Sequence, residues 1–136
     1  MTKEYLNQLT YKIVGAAIEV QKNIGPGLLE VVYQQCLIKE FMIQGIKFQS
    51  ELHIPIHYKG TNLFADLRCD FLIENVVVVE LKAVLTMLPI FDAQIISYMK
   101  LLEVPKGILF NFQSDNIFNS GQKTFVNEYF RSLPEK

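Results

Sequence analysis

Glu80 and Lys82 stand at the end of a run of four valines, Val76 to Val79, and are separated by Leu81. The valine run predicts a strand that is buried on both faces. Because successive side chains of a strand point to opposite faces, Glu80 and Lys82 share one face and Leu81 occupies the other. An isolated acid and base at a strand end usually form a solvated ion pair, so any chemistry depends on which other groups reach them.

Asp70, on the preceding predicted strand, is the first group that could reach them. If the intervening turn contains three residues, Ile73 pairs with Val77 and Asp70 lies directly across from Glu80. A turn of two residues instead pairs Asp70 with Val79, which places the two acids on opposite faces of the sheet. The sequence leaves both registers open, and the register decides whether the acids form one group.

Converging acids at this position would favour a divalent cation. Two carboxylates about 6 Å apart repel by roughly 3 kcal/mol at an effective dielectric near 20, and Lys82 offsets one negative charge only. A hard cation with oxygen ligands relieves that repulsion, and Mg²⁺ needs few protein carboxylates because it keeps several waters. In such a site Lys82 could orient or activate a water against a phosphodiester.

Two predicted helices carry further polar groups. Glu30 lies near the start of one helix, where the helix dipole favours a carboxylate, and the stripe of Tyr33 and Leu37 would direct it toward the core. The alternative is a first-turn acid that stabilises only its own helix. Gln94 and Tyr98 are four residues apart on another helix and therefore share a face, by default as a polar pair at a helix–sheet boundary.

The elements that must position these groups follow from periodicity and turn residues. The sequence predicts helices over residues 5–23, 28–44, 89–102 and 121–132, and Gly45 is expected to end the second one. It predicts one half-buried strand from residue 47 to 59 with an edge or bulge at Pro55, a second strand ending near residue 73, the valine strand, and a fourth strand over 107–112. The order ααβββαβα predicts a mixed sheet of about four strands, in which the valine strand is central and parallel to the fourth strand.

Composition limits the class of protein. The 136 residues are half hydrophobic and one fifth charged, which predicts a single globular domain over residues 1–136. The net charge of −1 argues against a generally basic nucleic-acid binder, although it allows a local cationic groove. The absence of a signal peptide or a long apolar run predicts a cytoplasmic protein without membrane contact. Cys36 and Cys69 lack a CxxC partner and are expected to be reduced, buried thiols.

The segment "GPGLLEVVY" resembles the signature of the GxxExxY protein family, with Gly27, Glu30 and Tyr33 in the named positions. The resemblance continues through "YKG", "RCDFLIENVVVVELKAV", "AQIISYMK" and "GILFNF", and so covers roughly residues 10 to 112. That family is assigned to the PD-(D/E)XK nuclease superfamily. The resemblance therefore implies an α/β (α+β) fold with a restriction-endonuclease-like core, in which a mixed sheet is flanked by helices.

The resemblance also implies roles for individual residues. Asp70, Glu80 and Lys82 correspond to the D…ExK motif, and Cys69 stands where the superfamily's name has a proline. By analogy, Asp70 and Glu80 would hold the metal with the Leu81 carbonyl, and Lys82 would position the attacking water. The resemblance implies that Glu30 is a helix-borne acid of the metal site, which reaches the ion directly or through water. It implies that Gln94 and Tyr98 form the QxxxY element that organises the site, and that Tyr33 is a supporting residue.

Two functions follow as hypotheses. The first is a metal-dependent nuclease that hydrolyses DNA, or else RNA, with Mg²⁺ as cofactor and Mn²⁺ as a substitute. The second is a catalytically silent module of the same fold that binds nucleic acid or a protein partner. A small domain of this kind often grips a duplex together with a second copy, so a homodimer is a further expectation. The sequence specifies neither the substrate structure, nor endo- or exonucleolytic cutting, nor the pathway.

Overall fold

The computed structural model describes all 136 residues, which form five helices and seven strands. The helices are α1 (Lys3–Ile24), α2 (Glu30–Gln44), α3 (Pro89–Leu102), α4 (Ile117–Ser120) and α5 (Glu128–Arg131). The strands are β1 (Phe48–His53), β2 (Ile56–Tyr58), β3 (Thr61–Leu63), β4 (Arg68–Ile73), β5 (Val77–Lys82), β6 (Lys106–Asn111) and β7 (Gln122–Val126). No helix has both the length and the apolar composition to cross a membrane.

Five of the strands form one mixed sheet in the order β1-β4-β5-β6-β7, and β2 and β3 form a separate two-stranded sheet. The valine strand β5 occupies the centre and runs parallel to β6, while the other neighbours in the main sheet pair antiparallel. This arrangement confirms the predicted fold class, a mixed sheet flanked by helices. It also confirms the central position of the valine strand and its parallel partner.

Apolar layers cover both faces of the sheet, as the valine run requires. On one face, Val77, Val79 and Leu81 join the side chains of α1 and α2 in the larger core cluster. On the other face, Val78 packs with residues of α3, including Ile95 and Met99. Since β5 alternates between these two layers, Glu80 lies on the α3 side and Leu81 lies on the α1–α2 side.

The predicted strand over residues 47–59 is wrong in its continuity, because the chain leaves the main sheet after His53. The Ile54 amide still donates to the Leu67 carbonyl at 2.7 Å, but Pro55 has no N–H with which to continue the ladder. Residues 56–63 then form the separate β2–β3 hairpin, which turns at Lys59–Gly60. The predicted second strand is divided in the same way, into β3 and β4.

The predicted helix over residues 121–132 is also wrong. In its place the chain forms the single turn of α4, the edge strand β7 and the single turn of α5. β7 pairs antiparallel with β6 from Gln122↔Phe110 to Val126↔Lys106. The unpaired edge of β6 offers a row of backbone hydrogen-bonding groups, and "KTFV" has the β-branched and aromatic residues that suit a strand. The main sheet therefore has five strands, one more than predicted.

The turn between β4 and β5 contains three residues, Glu74, Asn75 and Val76, with Ile73 paired to Val77. Glu74 and Asn75 have φ values of 51° and 60°, the left-handed conformation that hairpin turns require. Of the two registers that the sequence left open, the chain adopts the one that brings Asp70 and Glu80 to the same level.

Candidate active site

Asp70 and Glu80 meet where β4 and β5 separate. The last backbone pair between the two strands is Phe71↔Val79. Beyond that pair, the side chains of Asp70 and Glu80 accept hydrogen bonds from backbone amides. The Leu81 amide donates to Asp70 Oδ2 at 2.8 Å, and the Asp70 amide donates to Glu80 Oε1 at 3.4 Å. The two acids are thus held by each other's backbone, in a small gap at the rim of the central strand.

The Glu80 carboxyl is almost completely buried in this gap. Burial raises its pKa from 4.5 to about 10, and the hydrogen bond and negative charge of Asp70 contribute further to the rise. Lys82 opposes the change only weakly. At neutral pH in the absence of a cation, Glu80 therefore holds a proton beside Asp70, in the place where a metal ion would relieve the same repulsion.

The Leu81 carbonyl is directed toward the same gap. The Leu81 amide points to the β4 side, where it meets Asp70, whereas the Lys82 carbonyl points to the β6 side and accepts from the Phe112 amide at 2.9 Å. Because the N–H and C=O of one strand residue point to the same side, the Leu81 carbonyl also faces β4. The backbone therefore supplies a third oxygen beside the two carboxyls.

Lys82 is half-buried at the end of β5, with its ammonium group 4.4 Å from the centroid of the Phe91 ring. This cation–π contact fixes the side chain against the first turn of α3. Asn111, which pairs with Lys82 across the sheet, accepts a hydrogen bond from the Val84 amide at 3.1 Å and donates one to the Val84 carbonyl at 2.9 Å. Phe91 and Asn111 were not identified from the sequence, because no spacing within a single helix or strand links either of them to Lys82.

Helix α2 brings Glu30 to the site at its first residue, two positions later than the predicted start of the helix. Burial raises the pKa of Glu30, Asp70 adds to the rise, and Lys82 opposes it. One turn further, Gln34 donates from Nε2 to the Asp70 carbonyl at 3.4 Å. Glu30 and Gln34 are four residues apart on one helix face, a spacing from which Gln34 could have been predicted.

Tyr33 lies apart from the acids and holds the loop that leads into α2. Its hydroxyl donates to the Gly25 carbonyl at 2.7 Å and accepts from the Leu28 amide at 3.2 Å. Its ring stacks on Phe112 with centroids 4.5 Å apart. Tyr33 therefore fixes the start of the helix that carries Glu30.

Replacing Tyr33 by phenylalanine keeps the stacked ring and removes both hydroxyl hydrogen bonds. We expect Tyr33→Phe to lower the free energy of unfolding by about 1–2 kcal/mol, which urea denaturation would measure. Tyr11→Phe is the matched control, because that side chain is 82% exposed and its loss of a hydroxyl should leave stability unchanged. Equal stabilities for the two variants would contradict the proposed role of the Tyr33 hydroxyl.

Gln94 and Tyr98 approach the site from α3. Tyr98 is buried, and burial raises the pKa of its phenol, with a further contribution from the charge of Glu80. A hydrogen bond from the Gln94 side chain opposes that rise. The two residues share a helix face, as their spacing indicated, and that face meets the sheet beside Glu80.

Glu51 is a fourth acid that the sequence did not assign to the site. Its register in β1 is opposite Asp70, between the pairs Ser50↔Phe71 and Leu52↔Cys69, and its φ of 51° interrupts the ladder there. The charge of Glu51 contributes to the raised pKa of both Glu30 and Cys69. Only the pairing of β1 with β4 reveals the proximity of Glu51 to the other acids.

Cys69 is not a nucleophile in this site. The thiol is completely buried, and burial with the charges of Glu80 and Asp70 raises its pKa to about 12. Both cysteines are free, as expected, but Cys36 is only partly buried, so the prediction of a buried thiol is wrong at that position.

The donor set suits a hard cation bound partly by water. No three side chains among His, Cys, Asp and Glu lie close enough together to hold a metal ion by themselves. The groups that converge are two carboxyls and one backbone carbonyl, all of them oxygen donors. Such a set fits Mg²⁺ or Mn²⁺, which complete their coordination with water. Glu30, further from the pair, fits a contact through a bridging water.

Comparison with known proteins gives one match. A family model described as the PD-(D/E)XK nuclease superfamily matches residues 7–124, which is most of the chain. The matched range includes every acid of the site as well as Lys82, Gln94 and Tyr98. No curated protein and no solved structure gave a significant match.

Proposed function

We propose, because the chain belongs to the PD-(D/E)XK nuclease superfamily, that it hydrolyses phosphodiester bonds of DNA, or else of RNA, in a metal-dependent reaction. The observation that carries the proposal is the pair Asp70 and Glu80, whose carboxyls lie together at the rim of the central strand with Lys82 on the same strand. An acid pair of this kind disfavours the metal-free state, since one carboxyl must hold a proton well above its ordinary pKa.

Four groups would hold the ion: the carboxyls of Asp70 and Glu80, the Leu81 carbonyl, and Glu30 through a water molecule. Mg²⁺ is the proposed cofactor and Mn²⁺ a substitute, since both accept oxygen ligands and retain coordinated waters. When bound, such an ion supplies Lewis-acid stabilisation of the phosphate charge and makes a water more acidic.

The chain's own residues provide the positioning. Lys82, held against Phe91, would donate a hydrogen bond to the attacking water and stabilise the negative charge that develops on the phosphate. Gln94 and Tyr98 would orient the Glu80 carboxyl from the α3 side. Gln34 would hold α2 against β4 through its hydrogen bond to the Asp70 carbonyl. Tyr33 would hold the loop before α2, and with it the position of Glu30.

The proposal extends to the subfamily, the location and the oligomeric state of the protein. "GPGLLEVVY" supports membership of the GxxExxY family within the superfamily. We further propose that residues 1–136 act as one domain in the cytoplasm, and that two copies associate as a homodimer.

Cleavage assays across metals and substrates test the proposal. Labelled single-stranded DNA, duplex DNA, branched DNA and RNA would be incubated with the protein over a titration of Mg²⁺ or Mn²⁺, with EDTA as the blank. We expect cleavage of at least one substrate with either metal and none in EDTA. Binding without hydrolysis across all metals and substrates would contradict the nuclease and favour a silent module of the same fold.

A further inference from the structure

The β2–β3 hairpin projects from the end of the sheet that carries the candidate site. It begins just beyond the pair His53↔Arg68, which is the last pair between β1 and β4. Asp70 follows two positions after Arg68 in β4, and β4 runs antiparallel to β5. The start of β4 and the end of β5 therefore lie at the same end of the sheet, so the hairpin lies beside Asp70, Glu80 and Lys82.

The hairpin closes in a tight turn and exposes large apolar side chains. Lys59 and Gly60 have φ values of 49° and 82°, which match the two-residue turn that joins tightly paired strands. Tyr58 is 61% exposed, Leu63 is 45% exposed and Phe64 is completely exposed. Tyr58 and Leu63 share one face of the hairpin, because Tyr58 pairs with Thr61 and Leu63 pairs with Ile56. Phe64 directly follows the hairpin. None of the three side chains packs in a core cluster, and large apolar groups exposed this close together in the chain indicate a contact surface.

Lys59 is the one lysine or arginine of the hairpin, and it forms no ion pair, so it is available to a polyanion. The Lys59 ammonium lies 5.4 Å from the centroid of the exposed Tyr58 ring, and Arg68 at the base of the hairpin pairs with Asp66 at 2.9 Å. The acids of the site, by contrast, repel phosphates. Exposed aromatic rings with an adjacent cation are the combination by which proteins hold single-stranded nucleic acid, since every base has a face that can stack.

We propose that the β2–β3 hairpin binds single-stranded polynucleotide, with unpaired bases stacked on Tyr58 and Phe64 and a phosphate contacted by Lys59. This inference rests on the proposed nuclease function, because it assigns the substrate class that would be led to the site. Stacking is insensitive to the sugar, so the chemistry recognised is an unpaired strand, of either DNA or RNA. Duplexes, whose bases are already stacked, should bind weakly.

A tryptophan reporter tests the contact directly, because the chain contains no tryptophan. In EDTA, where cleavage is blocked, we expect oligo(dT) and oligo(U) to quench the emission of a Phe64→Trp variant. A blunt DNA duplex of equal length should leave the emission of the variant unchanged. Tyr11→Trp, on the exposed face of α1, is the matched control and should not respond to any of the three. Equal quenching in the two variants, or none in Phe64→Trp, would overturn the proposal.

Loss of the rings supplies the second measurement. We expect the double variant Tyr58→Ala with Phe64→Ala to bind labelled oligo(dT) at least about tenfold more weakly than wild type by anisotropy in EDTA. Tyr11→Ala should bind as wild type does. Unchanged affinity of the double variant would overturn the proposal. A molar mass of the double variant below that of wild type in light scattering would also overturn it, because the rings would then form a surface between two copies of the chain. Since binding is read without hydrolysis, failure of the nuclease function and failure of the hairpin are distinguishable.

Discussion

Lys82→Ala should abolish phosphodiester cleavage while leaving metal binding intact. In the structure the Lys82 ammonium contacts the Phe91 ring and forms no ion pair with the acids, so its removal takes away no oxygen donor. A positioned group that orients the water and stabilises developing charge contributes about 100-fold or more to the rate. We therefore expect a loss of at least that size in the cleavage rate, measured at saturating Mg²⁺.

Asp70→Ala should differ from Lys82→Ala in its effect on the ion. It removes a ligand, so we expect loss of both cleavage and metal-induced thermal stabilisation. Lys39→Ala, an exposed lysine on the outer side of α2, is the control for a simple loss of positive charge and should cut as wild type does. Metal-independent cleavage by Asp70→Ala, or wild-type cleavage by Lys82→Ala, would refute the proposed mechanism.

Glu80→Gln should stabilise the metal-free protein, with an effect that grows with pH. In the folded chain the pKa of Glu80 is raised from 4.5 to about 10, first by burial and then by Asp70. The folded state therefore holds a proton that the unfolded state has released, and stability falls as the pH rises between those two values. An uncharged glutamine removes this dependence, and we expect an increase of about 1–3 kcal/mol in the free energy of unfolding at pH 8.

Urea denaturation at several pH values, in EDTA and in Mg²⁺, would measure this effect. Wild type should gain stability from Mg²⁺, more strongly at high pH because the ion competes with the proton on Glu80, whereas Glu80→Gln should gain none. Glu103→Gln, at the exposed end of α3, is the matched control and should follow wild type throughout. A wild-type stability that does not decline with pH in EDTA would contradict the buried, protonated Glu80.

The errors in predicting the fold lie at Pro55 and at residues 121–132. Pro55 was interpreted as an edge or bulge within one strand, yet the chain leaves the sheet there and builds a separate hairpin. Residues 121–132 were predicted as a helix, yet "KTFV" forms β7 because β6 has an open edge to pair with. At Pro55 the missing N–H ended the pairing with β4, and at residues 121–132 the open edge of a distant strand decided the outcome.

The sequence by itself determined that β5 is central and that Glu80 and Lys82 share a face, because a continuous apolar run and the two-residue alternation of strands are local properties. Only the tertiary structure decided that Asp70 meets Glu80, since the three-residue turn at Glu74–Val76 selects one of two registers that both satisfied the pattern. The arrival of Glu30 and Glu51 likewise depends on how α2 and β1 pack against β4. Register and packing join residues far apart in the chain, and no local pattern encodes them.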